Sequence, residues 1–504
     1  MTGMTHALSR YDYLVKQCLD GKALLTEPPL AQHFGHLLGK PNEITGNLSH
    51  QAILDAYIAL VDGMKTTTVT PGPAEAGMTF FGQFVDHDIT LDATSSIGRK
   101  IDPRAIRNVR TPTLDLDCVY GDGPDASPHL YHNKHKDYLL FGRDDCPLDL
   151  ARNAKGTALI GDPRNDENIL VSQIQGAFIC LHNILMSHAK DGGRAENEVS
   201  RMVHGVGGMS IRKTVWTETV VPRLMDFEHV RRTVRLHYQW LVLNQLLPSF
   251  VDKACIKAAL AAPYVFGKHG PIMPAEFSGA AYRFGHATVQ PSYKLRADEQ
   301  PRDLFAMMKA FSPRVPDDDM HMNMFFDLDD GNTQMALPVG TKMAETLFAL
   351  PDGIVNKSEK WGAIEVPVAE AKKLALRNIL RDRTALQLAS GQQVARWLHA
   401  HAPHLGIKEL KAPEALTSRH IDKTPLWFYC LQEADAGGKL TGVGGTIVAQ
   451  VFVRLLRLDP ESILNTDFTP WEGFGGADMT MGKMMKWIET NRDTIPLGHE
   501  LRCG

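Results

Sequence analysis

The sequence predicts a mainly α-helical protein with long irregular connections and little β structure. Two observations carry that expectation. ENILVSQIQGAFICLHNILMSHA places Leu170, Ile174, Phe178, Leu181 and Leu185 at spacings of three and four, and DFEHVRRTVRLHYQWLVLNQLLPSF does the same with Phe227, Val230, Val234, Tyr238 and Leu241. Stretches that alternate apolar and polar residues, as a half-buried strand must, are scarce.

In chain order, residues 1 to 70 read as an N-terminal arm that packs on the core and holds one short helix, SHQAILDAYIALVDGM. TTTVTPGPAEAG breaks the chain, and a helix follows that ends near Ile89. Residues 93 to 160 are rich in Pro, Gly, Asp and Asn and read as long irregular structure, which in a folded protein is usually functional or disordered. After the two strong helices, further helical stretches are expected near 343–350, 368–389, 391–400 and 446–456. Residues 461–504 read as a C-terminal extension of the same unit.

Composition excludes several classes. The 504 residues are 43% hydrophobic and 22% charged with a formal net charge of −4, and no basic block suggests a nucleic-acid partner. The seven cysteines are odd in number, widely spaced and free of any C-x-x-C, which speaks against a disulfide framework or a zinc site. The first 30 residues lack a signal-peptide h-region, and no uninterrupted run approaches 18 apolar residues. The expectation is a soluble, cytoplasmic protein without a membrane span.

Four separate segments carry chemistry. In FGQFVDHDITLD (81–92), Gln83, Asp86 and His87 fall within a helical arc of about 100°, while Asp88 points away from it. A carboxylate in a helix's last turn opposes the macrodipole, so Asp88 calls for a positive neighbour. In TPTLDLDCVYGDG (111–123), Thr111, Thr113, Asp115 and Asp117 alternate, so an extended loop would converge four oxygen donors, a set suited to Ca²⁺. In GDPRNDENIL (161–170), Arg164 and Glu167 stand at a helix entrance. In AAYRFGHATVQPSYKL (280–295), His286 sits between Gly285 and Ala287, small neighbours that let a flat ligand approach. Each segment alone also has a plain structural reading: a satisfied core histidine, an acidic turn, a capping ion pair.

Together the segments resemble the animal-type haem peroxidases, the superfamily that includes myeloperoxidase and lactoperoxidase, in a bacterial-type form. GQFVDHD, TPTLDLDCVYG, GDPRNDEN, LHN at 181–183, YRFGH and RNILRDR at 377–383 occur in the family's order, and the likeness covers roughly residues 70 to 460. The resemblance implies one catalytic domain over 71–460, a haem b cofactor and Ca²⁺, with H₂O₂ and a small electron donor (halide, thiocyanate, phenol or another organic) as partners. It implies that His87 is the distal base, Gln83 the distal glutamine, Arg164 the distal arginine and His286 the iron ligand. Asn378 would accept the proximal histidine's other N–H, and Arg283 and Arg381 would pair with haem propionates. Asp86 and Glu167 match the two carboxylates that form haem esters in the mammalian enzymes, so an ester-linked haem is compatible with this sequence. Asn168 stands where a sulfonium-forming methionine would be. Asp88, Thr111, Thr113, Asp115 and Asp117 match the family's calcium ligands.

Departures are also visible. Phe81 replaces a Trp, Asp117 replaces a Ser among the calcium ligands, Leu181 replaces a Glu, and the region around Arg383 is irregular. Two other functions compete. A fatty-acid dioxygenase of the cyclooxygenase or α-dioxygenase type needs a Tyr three residues before the proximal histidine; that position is Arg283, and Tyr282 is one place off. A non-enzymatic haem- or calcium-binding adhesion protein is the other alternative.

Overall fold

The computed structural model describes residues 34–38, 48–68, 70–90, 112–190, 226–267 and 270–492. Helix α1 (His50–Asp62) starts at Ser49, whose hydroxyl accepts the Ala52 N–H. Helix α2 (Ala76–Ile89) carries the 81–92 motif and ends where expected. The Thr90 hydroxyl donates to the Asp86 carbonyl and closes its last turn. Helix α3 (Ile169–Lys190) opens beyond a 3₁₀ turn at Pro163–Asp166, with the Asn168 side chain accepting the N–H groups of Leu170 and Val171. Helix α4 (Phe227–Leu241) is capped by Asp226 and widens into a π turn at Val242–Leu246, just before Pro248, which has no N–H to give the ladder.

These three helices form the inner layer: α2 packs on α3 and α3 on α4. Phe84 stacks on Phe178 with ring centroids 5.1 Å apart, and Tyr238 meets both edge-on. The residues spaced at three and four in α3 and α4 are all buried here. Helices α5 (Lys253–Ala261), α6 (Leu374–Leu380), α7 (Gly391–His401), α8 (Leu426–Ala434), α9 (Gly442–Leu458) and α10 (Met481–Asn491) complete the set. Helix α9 is buried over nearly its whole length, against α5 and α8. β structure among the described residues amounts to two- and three-residue pairs, such as Lys65–Thr66 alongside Met343–Ala344. Segment 34–38 lies on the core through the Leu37 N–H, which donates to the buried carboxylate of Glu276.

Some expectations change. The 343–350 stretch is a short strand and a 3₁₀ turn (Glu345–Phe348), because Pro338, Gly340 and Pro351 leave too little chain for a helix. The 368–389 stretch breaks into a turn, α6 and a π turn at Arg381–Ala385. There the buried Asp382 carboxylate accepts the Trp427 N–H at the start of α8. The span Ile169–Ala189 has the length and hydropathy to cross a membrane despite its interrupting polar residues, but its most apolar 18 residues are all buried inside the fold, so it is a core helix.

Candidate functional site

A cavity of about 490 Å³ lies between α2, the 164–167 turn and the 282–289 segment. That size is ordinary for a cofactor or small-molecule pocket. Gln83, Asp86, His87, Arg164, Glu167, Arg283 and His286 all line it, so four segments separated by up to two hundred residues converge as the motifs predict.

On the α2 side, His87 is buried, with Nδ1 2.7 Å from Asn165 Oδ1 and Nε2 3.8 Å from Glu167 Oε1. Burial, reinforced by the Arg164 charge, pushes His87 down to about 4, so its ring is neutral at ordinary pH. Arg164 is held rigidly. Its Nε and Nη2 donate to the two Asp162 oxygens at 3.1 and 2.8 Å, and Nη2 also donates to the carbonyls of His87, at 3.0 Å, and Thr90. Nη1 takes no part in these bonds. The result is a fixed cation beside the histidine. The Gln83 amide donates to Glu167 and accepts from Asn168 at 3.2 Å. Burial pushes Glu167 up to about 7. The Asp86 carboxylate accepts the Thr90 hydroxyl at 3.1 Å.

His286 projects from a short turn, Gly285–Thr288, and its Nδ1 meets Asn378 on α6. The amide group that faces it is Nδ2, at 2.9 Å, and Arg381 Nη1 is 3.4 Å from Oδ1. This differs from the expected arrangement. With the amide this way round, Nδ1 accepts and Nε2 carries the proton. Ligation of iron through Nε2 calls for the amide turned by 180°, so that Oδ1 accepts from Nδ1–H. Burial and the charges of Arg283 and Arg381 push His286 down to about 3. Arg377, one turn before Arg381, lines the cavity, whereas Arg381 does not. Arg383 is turned away to Asp382 and the Leu388 carbonyl. The Tyr282 hydroxyl donates to the Gly82 carbonyl at 3.1 Å, and His182 is a core residue between Tyr120 and the Asp137 carbonyl.

The residues present fit a haem. The pocket offers a neutral histidine for iron, a second histidine and a fixed guanidinium on α2 and its neighbouring turn, and a largely hydrocarbon wall. The Nε of Arg283 has no hydrogen-bond partner among the described residues, although its charge is buried enough to lower its pKa, so an anionic group at the pocket edge would complete it.

Behind α2, Asp88, Asp115 and Asp117 bring carboxylate oxygens within 4.8 Å of one another. Asp88 is fully buried; it accepts the Leu116 N–H at 3.2 Å and the Tyr238 hydroxyl at 3.0 Å, and burial plus Asp115 push it up to about 7. A hard cation would relieve that crowding, and an all-oxygen donor set suits Ca²⁺. The loop is not extended, as the alternating pattern suggests. Leu116 adopts φ 62° and Asp117 begins a helical turn, so a left-handed residue, not strand alternation, brings the carboxylates together. The Thr113 hydroxyl donates to Asp115 at 2.5 Å. Thr111 lies outside the described residues.

Sequence reading missed Asn165 and Gln175. Asn165 stands inside a quoted motif, but its role depends on His87, 78 residues away, and no spacing announces it.

The chain was compared with known proteins. The family model described as animal haem peroxidase matches residues 92–383, more than half of the chain, beginning just after the α2 motif. Chorion peroxidase of Drosophila melanogaster is 26% identical over 205 residues, covering 37% of this chain and 22% of that protein, so the chain spans under a quarter of that curated relative. Among solved structures, peroxidase A from Dictyostelium discoideum aligns with a TM-score of 0.56 at 14% identity, over 91% of this chain and 93% of that one. The Oryza sativa fatty acid alpha-dioxygenase aligns with a TM-score of 0.53 at 15% identity, over 92% and 82%. At such identities these two likenesses speak for the fold alone. On the family match, the protein belongs to the animal haem peroxidase family.

Proposed function

We propose that the protein is a haem peroxidase that reduces H₂O₂ and oxidises small donors, with haem b in the cavity shared by His87 and His286 and Ca²⁺ held by Asp88, Asp115 and Asp117 with the neighbouring threonines. The observation that carries this reading is the convergence of two buried, neutral histidines and a clamped arginine on one cavity. Haem, when bound, supplies the iron at which peroxide is reduced and from which the donor is oxidised. His286 is the side chain to hold that iron, with Asn378 orienting its ring. His87 takes a proton from bound peroxide at Nε2 and returns it to the departing oxygen, work for which a neutral imidazole is required. Arg164 faces the charge that develops as the O–O bond breaks, and it needs no reorganisation because Asp162 and two carbonyls already fix it. Arg283 and the nearby Arg377 and Arg381 supply positive charge for propionates. Asp86 and Glu167 both line the cavity and are the groups to form esters.

The test is stopped-flow absorbance of haem-loaded protein mixed with H₂O₂. His87→Ala is expected to keep its haem and to react about 10²–10⁴-fold more slowly. An undiminished rate in that variant sinks the reading. Fatty-acid-dependent O₂ uptake without any peroxide response would assign the cavity to dioxygenase chemistry instead.

A further inference from the structure

A histidine can act as a base at Nε2 only if its proton sits on Nδ1, and which nitrogen carries the proton is set by the bond the other one makes. In this molecule a chain of side-chain amides decides that point. It begins at the Cys118 carbonyl, which can only accept, and to which Gln175 Nε2 donates at 3.3 Å. That fixes the Gln175 amide and turns Oε1 toward Asn165, whose Nδ2 donates to it at 2.8 Å. Asn165 must then present Oδ1 to His87 Nδ1, 2.7 Å away. A carbonyl oxygen accepts and cannot donate. Asn165 and Gln175 are fully buried, and His87 is nearly so.

We propose that Asn165, held in one orientation by Gln175, is a positioning residue that keeps the proton of His87 on Nδ1 and its lone pair on Nε2. The proposal rests on the peroxidase reading for its catalytic consequence, but not for the tautomer itself. The same Cys118 carbonyl also accepts the Asp162 N–H at 3.2 Å, and Asp162 clamps Arg164. One backbone group thus sets the posture of both residues that would act on peroxide.

Two measurements test this. The first is ¹⁵N NMR of the full chain labelled at histidine, with the His87 signals assigned by their loss in His87→Ala. The expected result is a protonated Nδ1 and an unprotonated Nε2 in wild type; the reverse overturns the proposal. The second is the rate of reaction of the haem-loaded protein with H₂O₂. Asn165→Leu, similar in size but without an acceptor, is expected to slow that step about 10- to 10³-fold, a share of what a general base contributes. Oxidation of donor in the later steps should stay near wild type. Asn165→Asp restores an acceptor and should recover most of the rate. If Asn165→Leu does not fold, Gln175→Leu makes the same test, since it frees the Asn165 amide to turn over. A wild-type rate in the leucine variants, or no recovery with aspartate, overturns the proposal. A wild type that shows the expected tautomer yet ignores peroxide would refute the peroxidase reading and leave the tautomer assignment standing.

Discussion

Gly161 is the tightest point near the site. A Cβ there would lie 2.3 Å from the Asp117 carbonyl oxygen and 2.7 Å from that of Cys118. Neither is a side chain that can swing aside. Gly161→Ala must push the 161–168 segment off the 117–118 turn, and with it Asp162, Arg164 and Asn165. The expected loss is about 1–3 kcal/mol in a denaturant melt, the usual cost of overpacking, with a slower peroxide reaction in the same sample. Arg164→Lys keeps the charge but cannot reproduce the two-point bond to Asp162. It should bind haem normally and react with peroxide at least about 10-fold more slowly, and equal rates would mean that charge alone suffices. His87, Arg164 and His286 were legible in sequence because each stands in a short run with its own composition. Asn165 and Gln175 were not, because an amide inside a helix or turn looks the same whether it caps, packs or orients a distant ring. The orientation of the Asn378 amide is likewise a property of the folded neighbourhood.

At the scale of elements, α4 anchors the chain's C-terminal stretch through His237. Its Nδ1 donates to the Thr233 carbonyl, its Nε2 accepts the Trp471 N–H, and Phe468 and Phe474 pack edge-on to the ring. Burial pushes His237 down from 6.5 to about 4. The unfolded chain therefore binds a proton between pH 6.5 and 4 that the folded chain does not. Stability is complete above 6.5 and falls as pH drops toward 4, by up to about 3 kcal/mol from this residue. His237→Gln can keep both bonds without the titration. Its melting temperature should gain on wild type as the buffer goes from pH 7 to pH 4.5, and a gap that stays constant would rule the mechanism out. Helices α3 and α4 were readable because their periodicity is long and unbroken. The 343–350 and 368–389 stretches were not. Their apolar residues are buried as a helix's would be, but flanking prolines and the Asp382 bond to α8 decide the backbone.

At the scale of the whole molecule, the cavity collects residues from Thr79 to Arg377, so any ligand in it ties together parts of the chain far apart in sequence. Haem added to haem-free protein is expected to raise the melting temperature in a single cooperative transition, by an amount that corresponds to about 2.7 kcal/mol at a hundredfold excess over Kd. Two transitions, only one of them moved by haem, would mean that the arm or the C-terminal stretch folds independently. The mainly helical class was legible from composition and period, whereas the irregular 112–168 region, which supplies the acidic loop and the arginine turn, has no periodicity to read. Its shape follows from buried polar bonds such as those of Arg152 to Asp149 and Asp166. The cavity wall has a further consequence for anyone who would change what the protein acts on. From Val289 to Leu374 it is built only of hydrocarbon and thioether groups, among them Leu304, Phe305, Met308, Leu350 and the outward-lying Ile354. Trimming or enlarging these breaks no polar bond, while the facing residues are interlocked. Directed evolution toward bulkier or slimmer molecules therefore has one workable side, and libraries confined to it would remodel selectivity while leaving the reactive half untouched.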